Sequence, residues 1–321
     1  MSQIPAVDIR SISHNYGDRQ ALNQVTFSVR HPEIFALLGP NGGGKTTLFK
    51  ILSTQLAPAS GTAKIMGQDI RTDAARVRGL LGVVFQAPSI DKKLTAEENL
   101  FHQGHLYGLS GKDLRLRITA AMEAVGLGAR SRDRIEKLSG GMQRRVEIAK
   151  SLLHDPAVLL LDEPSTGLDP SARLDVWNYL TAARDDRRIT SLLTTHLMEE
   201  AEKADRVAII HQGHLVACGT PAELKAAIGG EVLELTTDHP AALREQLKAR
   251  FGGDPLVVDN STVRLETAPG EASGARLLIQ VAEAFPGIIR SSRVGVPTLE
   301  DVFVHCTGQR FSVNASEGKA A

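Results

Sequence analysis

Eight residues, Gly39-Pro40-Asn41-Gly42-Gly43-Gly44-Lys45-Thr46, stand between an apolar pentad, Ile34 to Leu38, and a helix-like run, Lys45 to Leu52. No other stretch narrows the choice of fold as far. Strand, glycine-rich loop and helix in that order aim backbone N–H groups from a helix start at one point, where unpaired donors and the helix dipole favour an anion. The pattern is that of a phosphate-binding loop, in which the lysine neutralises phosphate charge and the hydroxyl of Thr46 ligates magnesium. Gly39, Asn41, Gly42, Gly44, Lys45, Thr46 and Thr47 are therefore candidate nucleotide contacts. A plain connecting loop would not explain why Lys45 and Thr46 follow the glycines directly.

Around this unit, strand-like and helix-like segments alternate. Val7 to Val29, broken at Asn15, Gly17 and Asp18, reads as an antiparallel β layer. Val83 to Phe85, Val158 to Leu161 and Ser191 to Thr195 read as buried strands, and a helix starts near Leu197. Between Leu94 and Ile135 the residues Leu114, Ile118, Met122 and Val125 keep helical spacing, which predicts a helical subdomain over about 87–152. The alternation predicts an α/β fold with a mostly parallel sheet. Gly229 and Gly230 close a helical run, Pro221 to Ile228, and mark a boundary between a unit over 1–228 and another over 229–310.

The second unit reads as strand (Val232 to Leu235), helix (Pro240 to Phe251), strand pair (Leu256 to Val258, Thr262 to Leu265), helix (Ala272 to Phe285) and strand (Ile289 to Val296). That order predicts a small ferredoxin-like α+β domain. A closing helix from Thr298 to Cys306 is announced by Thr298 as N-cap with Asp301 at the box position. Residues 311–321 are expected to form a disordered tail.

Composition excludes more than it selects. Lys plus Arg and Asp plus Glu both number 37, so no net field draws the chain to nucleic acid or to an anionic membrane. Arg184, Arg187 and Arg188 are interleaved with Asp185 and Asp186, the mark of a solvated face and not of a nucleic-acid stripe. Cys218 and Cys306 have no metal-like or redox-like spacing and read as free thiols. The His-Gln-Gly-His stretches at His102 to His105 and His211 to His214 gather no carboxylate or thiolate at ligand spacing. The N-terminus lacks a secretion signal and no apolar run reaches a membrane span, so a cytoplasmic, soluble protein is expected.

Two further motifs carry chemistry. Val158 to Leu161 ends in Asp162-Glu163, placing two carboxylates at the carboxyl end of a buried strand, where α/β sheets gather ligand groups. Asp162 suits holding magnesium through its water shell, and Glu163 suits activating a water as general base. Leu138-Ser139-Gly140-Gly141-Met142-Gln143 enters a helix at Gly141 with Arg144 and Arg145 on its first turns, which reads as a second anion site.

With these motifs in order, the chain resembles the ABC ATPase family over residues from about 5 to 228. The resemblance implies a P-loop NTPase (RecA-like) core, ATP and Mg2+ as cofactors, and ATP hydrolysis. It implies that Tyr16 stacks on adenine, that Gln86 senses magnesium and couples to a membrane subunit, and that Asp169, in Gly167-Leu168-Asp169, crosses a dimer. His196 stands where a histidine contacts the γ-phosphate, and Ser139 and Gly141 where the signature of one copy closes over the nucleotide of another. Gly43 departs from the Ala or Ser common there without removing a donor. Partners implied are a second ATPase subunit, as a homodimer or with a related chain, and a separate membrane permease that would hold the protein at the cytoplasmic face of the cell membrane.

Pro297 to Phe303, with Leu94 to Leu100 and Leu106 to Leu109, is similar to motifs of ATPases serving ABC-2 type exporters of the daunorubicin-resistance kind. An importer ATPase is the alternative within the family. Members acting on translation or DNA carry two P-loops or a long coiled-coil insertion, and this chain has neither. A P-loop kinase or GTPase would lack Ser139-Gly140-Gly141.

Overall fold

The computed structural model describes residues 4–267 and 274–311. Strands β1 (Val7–Tyr16) and β2 (Arg19–Val29) form an antiparallel pair, and β3 (Ile34–Leu38) leads through the glycine-rich loop into α1 (Lys45–Leu52). Strand β4 (Ser60–Ile65) returns beside β1, and β5 (Gln68–Asp69) completes a four-stranded layer in the order β2-β1-β4-β5. Helix α2 (Ala74–Leu80) and β6 (Leu81–Val84) follow, then α3 (Ala96–Leu106), α4 (Gly111–Ala124) and α5 (Gly140–Ser151). The chain re-enters the sheet through β7 (Val158–Asp162), α6 (Pro170–Arg187), β8 (Thr190–Thr195), α7 (Met198–Ala201), β9 (Arg206–His211) and β10 (His214–Gly219), and leaves it with α8 (Pro221–Ala226).

The central sheet has the order β10-β9-β3-β8-β7-β6, and every pairing is parallel except that of β10. Strands β3, β7 and β8 are buried at every position, because both faces of the sheet are covered. Successive side chains of β3 serve different cores. Ile34, Ala36 and Leu38 pack with Leu100, Leu114, Val146 and Val176 on the helical side, whereas Phe35 and Leu37 pack with Ile9, Leu22 and Leu48 under the antiparallel layer.

Several local expectations shift. Strand β6 ends at Val84, α5 begins at Gly140, one residue before the expected start, and the helix expected near Leu197 is the single turn of α7. The long helix α6 had no counterpart in the sequence reading, although Asp169 caps it and Pro170 occupies its first turn.

After α8 come β11 (Val232–Thr237), α9 (Pro240–Phe251), β12 (Leu256–Val257), β13 (Thr262–Glu266), α10 (Gly274–Ala284), β14 (Ile289–Gly295) and α11 (Leu299–Thr307). The four strands form an antiparallel sheet, β12-β13-β11-β14, with the first strand inside. Residues 272–273 of the expected helix and 312–321 of the expected tail lie outside the described residues. This sheet has its own core, built from Leu233, Leu235, Leu243, Leu247, Val263 and Val281.

Helix α11 does not join that core. Thr298 and Asp301 form its capping box, and its apolar side, Leu299, Val302 and Phe303, belongs to the core on the helical face of the central sheet, beside Leu224 and Ile228. Phe303 meets His211 edge-on at 5.3 Å. The polar side of α11 is tied to the last sheet by Arg264, only 2% exposed, whose Nη1 donates to the Asp301 carbonyl at 2.9 Å while Nη2 lies 3.0 Å from Glu266.

Candidate active site

Three adjacent strands end together. Leu38 pairs with Thr195 in β3 and β8, and Asp162 with Thr194 in β7 and β8. This register brings the loop after β3, the acidic pair at the end of β7 and His196 after β8 to the carboxyl edge of one sheet, the place where open α/β folds bind ligands.

The phosphate loop is held by backbone approach. A Cβ on Gly39 would lie 2.3 Å from the Ile210 carbonyl oxygen, and Gly44, at φ +109°, would put one 2.6 Å from the Ala21 carbonyl oxygen, so no larger residue fits either place. The Gly213 N–H donates to the Gly43 carbonyl at 2.9 Å, bracing the loop with the β9–β10 turn. Lys45, 4% exposed, donates from Nζ to the carbonyls of Gly39 (2.6 Å) and Pro40 (3.0 Å) and lies 4.0 Å from Glu163 Oε1. Burial pushes the Lys45 ammonium below its usual range and the Asp162 carboxyl above its own.

Glu163 is the meeting point. Besides Lys45, its Oε2 accepts from Gln86 Nε2 (3.4 Å) and Thr166 Oγ1 (3.1 Å). His196 Nδ1 stands 3.3 Å from its Oε1, at ion-pair distance but outside hydrogen-bond geometry. Its backbone is left-handed, at φ +46°, a conformation that costs energy for any residue with a Cβ and that collects at functional positions. Thr194 holds it there. The fully buried Thr194 hydroxyl donates to Asp162 Oδ1 at 2.6 Å and accepts from the Glu163 N–H at 2.9 Å, joining both acidic residues to β8.

The open cleft in front of these groups has a volume of about 390 Å³, and its lining includes Tyr16, Arg19, Gly42, Lys45, Thr46 and Glu163. Asn41, Gly44, Thr47 and Gln86 line it as well. Tyr16, 48% exposed, stands at its rim against His14. The Thr46 hydroxyl, the Gln86 carboxamide and the Asp162 carboxylate are hard oxygen donors, a set that suits a small divalent cation keeping several waters. Among the described residues no three His, Cys, Asp or Glu gather as an all-protein cage.

Ser139, Gly141 and Asp169 are not among the residues lining this cleft. Each is engaged locally. Ser139 accepts from the Met142 N–H, Gly141 is packed so closely on Ala172 that a Cβ would come within 2.6 Å, and Asp169 accepts from the Ala172 N–H. The expectation that Arg144 and Arg145 serve an anion site is corrected. Arg144 is buried and turned inward, donating to the carbonyls of Phe85, Asp162 and Pro164 and pairing with Glu147 at 2.8 Å. Arg145 donates to the Val125 carbonyl. Glu147 in turn accepts from the Ser89 N–H at 2.6 Å, so α5 is fastened to both the acidic strand end and the segment after Gln86.

Sequence reasoning passed over Thr194, Thr166, Arg19 and the inward role of Arg144. Thr194 lies two residues before His196 in a strand, TSLLTT, that carries three further hydroxyl residues, so nothing in the sequence singles it out. The others depend on contacts that no spacing encodes.

Comparison with known proteins bears on the family and the fold. The family model described as ABC transporter matches residues 22–166. "Nod factor export ATP-binding protein I" of Burkholderia orbicola (strain AU 1054) is 37% identical, covering 97% of this chain and 99% of its own. "Daunorubicin resistance ATP-binding protein DrrA3" of Streptomyces coeruleorubidus is 36% identical, covering 94% of this chain and 96% of its own. Among solved structures, cbiO1 from Clostridium perfringens, described as part of the ABC transporter complex cbiONQ, superposes with a TM-score of 0.65 at 25% identity, over 77% of this chain and 96% of its own.

Proposed function

Because the chain belongs to the ABC transporter family as an ATP-binding, ATP-hydrolysing subunit, we propose that it powers an ABC-2 type exporter, two ATPase subunits closing around nucleotide while a separate permease carries the substrate. The observation that supports hydrolysis at this cleft best is the convergence of Lys45, Gln86, Thr166 and His196 on the Glu163 carboxylate. Tyr16 stacks on the adenine, and the N–H groups of the loop with Lys45 hold the phosphates. Glu163 takes the proton of the attacking water, and His196 contacts the γ-phosphate. Thr46, Gln86 and, through water, Asp162 would hold Mg2+, which when bound neutralises charge on the phosphate oxygens.

The single phosphate loop and the placement of Ser139, Gly141 and Asp169 outside their own cleft favour a shared site, each copy lending these residues to the other. Homodimer is the simplest form. Residues 1–228 make the nucleotide-binding domain, with a helical subdomain over about 87–152, and 229–310 an accessory domain. Among the described residues no helix is long and apolar enough to cross a membrane, so the permease supplies the membrane path and holds the ATPase at the cytoplasmic face. Closure is passed to it through the surface from Gln86 to Leu94. Relatives named for Nod factor export and daunorubicin resistance, matched over nearly the whole chain, favour export over import and over action on nucleic acid.

Two measurements test this reading. Specific ATPase activity of the purified chain is expected to fall on dilution as pairs separate; activity strictly proportional to enzyme down to nanomolar concentrations would count against a shared site. Thr194→Val leaves the Glu163 N–H and an Asp162 oxygen without a buried partner, a cost of about 1–3 kcal/mol. It is expected to lower kcat by about tenfold or more with KM nearly unchanged. Steady-state kinetics of the folded variant check it, and an unchanged kcat would remove Thr194 from the machinery.

A further inference from the structure

We propose that Arg19 is a further nucleotide-positioning residue, its guanidinium holding the phosphate chain at the outer edge of the loop, between the ring of Tyr16 and the loop's glycines. The proposal rests on the assignment of this cleft to ATP. The motifs that mark the family claim Tyr16 and the loop, and none of them claims Arg19.

Placement comes first. Tyr16 and Arg19 are the last paired residues of the β1–β2 hairpin, directly opposite each other across Gly17-Asp18, and residues so paired project to the same face. Both line the cleft. Arg19 Nη2 lies 3.3 Å from the position a Cβ on Gly42 would take, so the guanidinium rests against the phosphate loop and is not directed away from it. Gly42 itself is left-handed, at φ +77°.

Charge gives the second argument. Lys45 and Arg19 are the two cationic side chains among the residues lining the cleft. Lys45 is held by the carbonyls of Gly39 and Pro40 and stands near Glu163, the acidic residue of the lining. Arg19 has no such engagement: among the described residues no carboxylate lies within ion-pair distance of it. A guanidinium kept unpaired beside a phosphate loop matches the forked geometry of phosphoryl oxygens, and it contributes most when its ligand carries several negative charges.

Equilibrium titrations of wild type, Arg19→Ala, Arg19→Lys and Tyr16→Ala with ATP, ADP and adenosine test the assignment. Arg19→Ala is expected to bind ATP and ADP about tenfold more weakly at low salt, with adenosine within about twofold, and the deficit should shrink as salt screens the charge. Arg19→Lys should recover part of the loss. Tyr16→Ala should weaken adenosine as well as ATP. In turnover, Arg19→Ala should raise KM about tenfold with kcat within about threefold of wild type. A folded Arg19→Ala that binds ATP as wild type does overturns the proposal. So does an equal loss for adenosine, which would make Arg19 a contact of the base or of the fold. A wild-type protein that binds neither ATP nor ADP would refute the assignment of the cleft itself, a result separable from either of these.

Discussion

Glu163→Gln is expected to abolish ATP turnover, by about a thousandfold or more, while nucleotide stays bound and the two copies stay closed on it. The substitution keeps the size of the side chain and its reach to Gln86 and Thr166, and removes its negative charge and with it the capacity to accept a proton from water. The left-handed backbone at this residue, pinned by Thr194, is unchanged by it. In the proposed shared site, closure depends on the γ-phosphate being held from both sides, so a variant that cannot remove that phosphate has no route back to the open pair. Size-exclusion chromatography with ATP should show a stable dimer of Glu163→Gln where wild type returns to monomer, and phosphate release should be at background. Turnover at the wild-type rate would reject Glu163 as the base.

Lys45→Ala is expected to act one step earlier, weakening ATP binding by about a hundredfold, on the order of 2.7 kcal/mol. Lys45 is the buried cation of the cleft, and its removal leaves the Gly39 and Pro40 carbonyls without their donor and the Glu163 carboxylate without its nearby ammonium. A buried acidic pair with no compensating charge also resists the approach of phosphate. Calorimetric titration checks the magnitude. The two variants then separate cleanly: one binds and cannot turn over, the other binds about a hundredfold more weakly and should show no dimer at ATP concentrations that just saturate wild type. An Lys45→Ala chain with wild-type ATP affinity would place the phosphates elsewhere.

How far the sequence was legible follows from what kind of contact each feature needs. The phosphate loop was readable because glycine spacing, Lys45 and Thr46 sit within eight residues and their meaning is local. The order of strands and helices in the last unit was readable for the same reason, each element carrying its own period. Helix α6 was missed despite a local signal, Asp169 followed by Pro170, because the stronger motifs on either side of it overshadow that signal. Thr194 and Glu163 meet only through the register of β7 and β8, 31 residues apart in the chain, and no spacing rule predicts which hydroxyl will face which acid. Arg144 misled because a basic residue on a first turn looks like an anion ligand until its burial is known. Helix α11 was assigned by chain order to the unit that precedes it, and an amphipathic pattern says that a face is buried without saying in which core.

That last point bears on how the protein is made. The core over the central sheet is closed by Leu299, Val302 and Phe303, roughly seventy residues after the boundary at Gly229-Gly230. During synthesis the ATPase body therefore emerges with every motif of the nucleotide site present and one side still open, its apolar residues Leu224 and Ile228 facing water until the accessory unit has been translated and folded behind them. At chain elongation of about 5–20 residues per second, that interval is several seconds long. The accessory unit thus serves as the carrier of a lid for its neighbour, and the body acquires its full stability after it, not before.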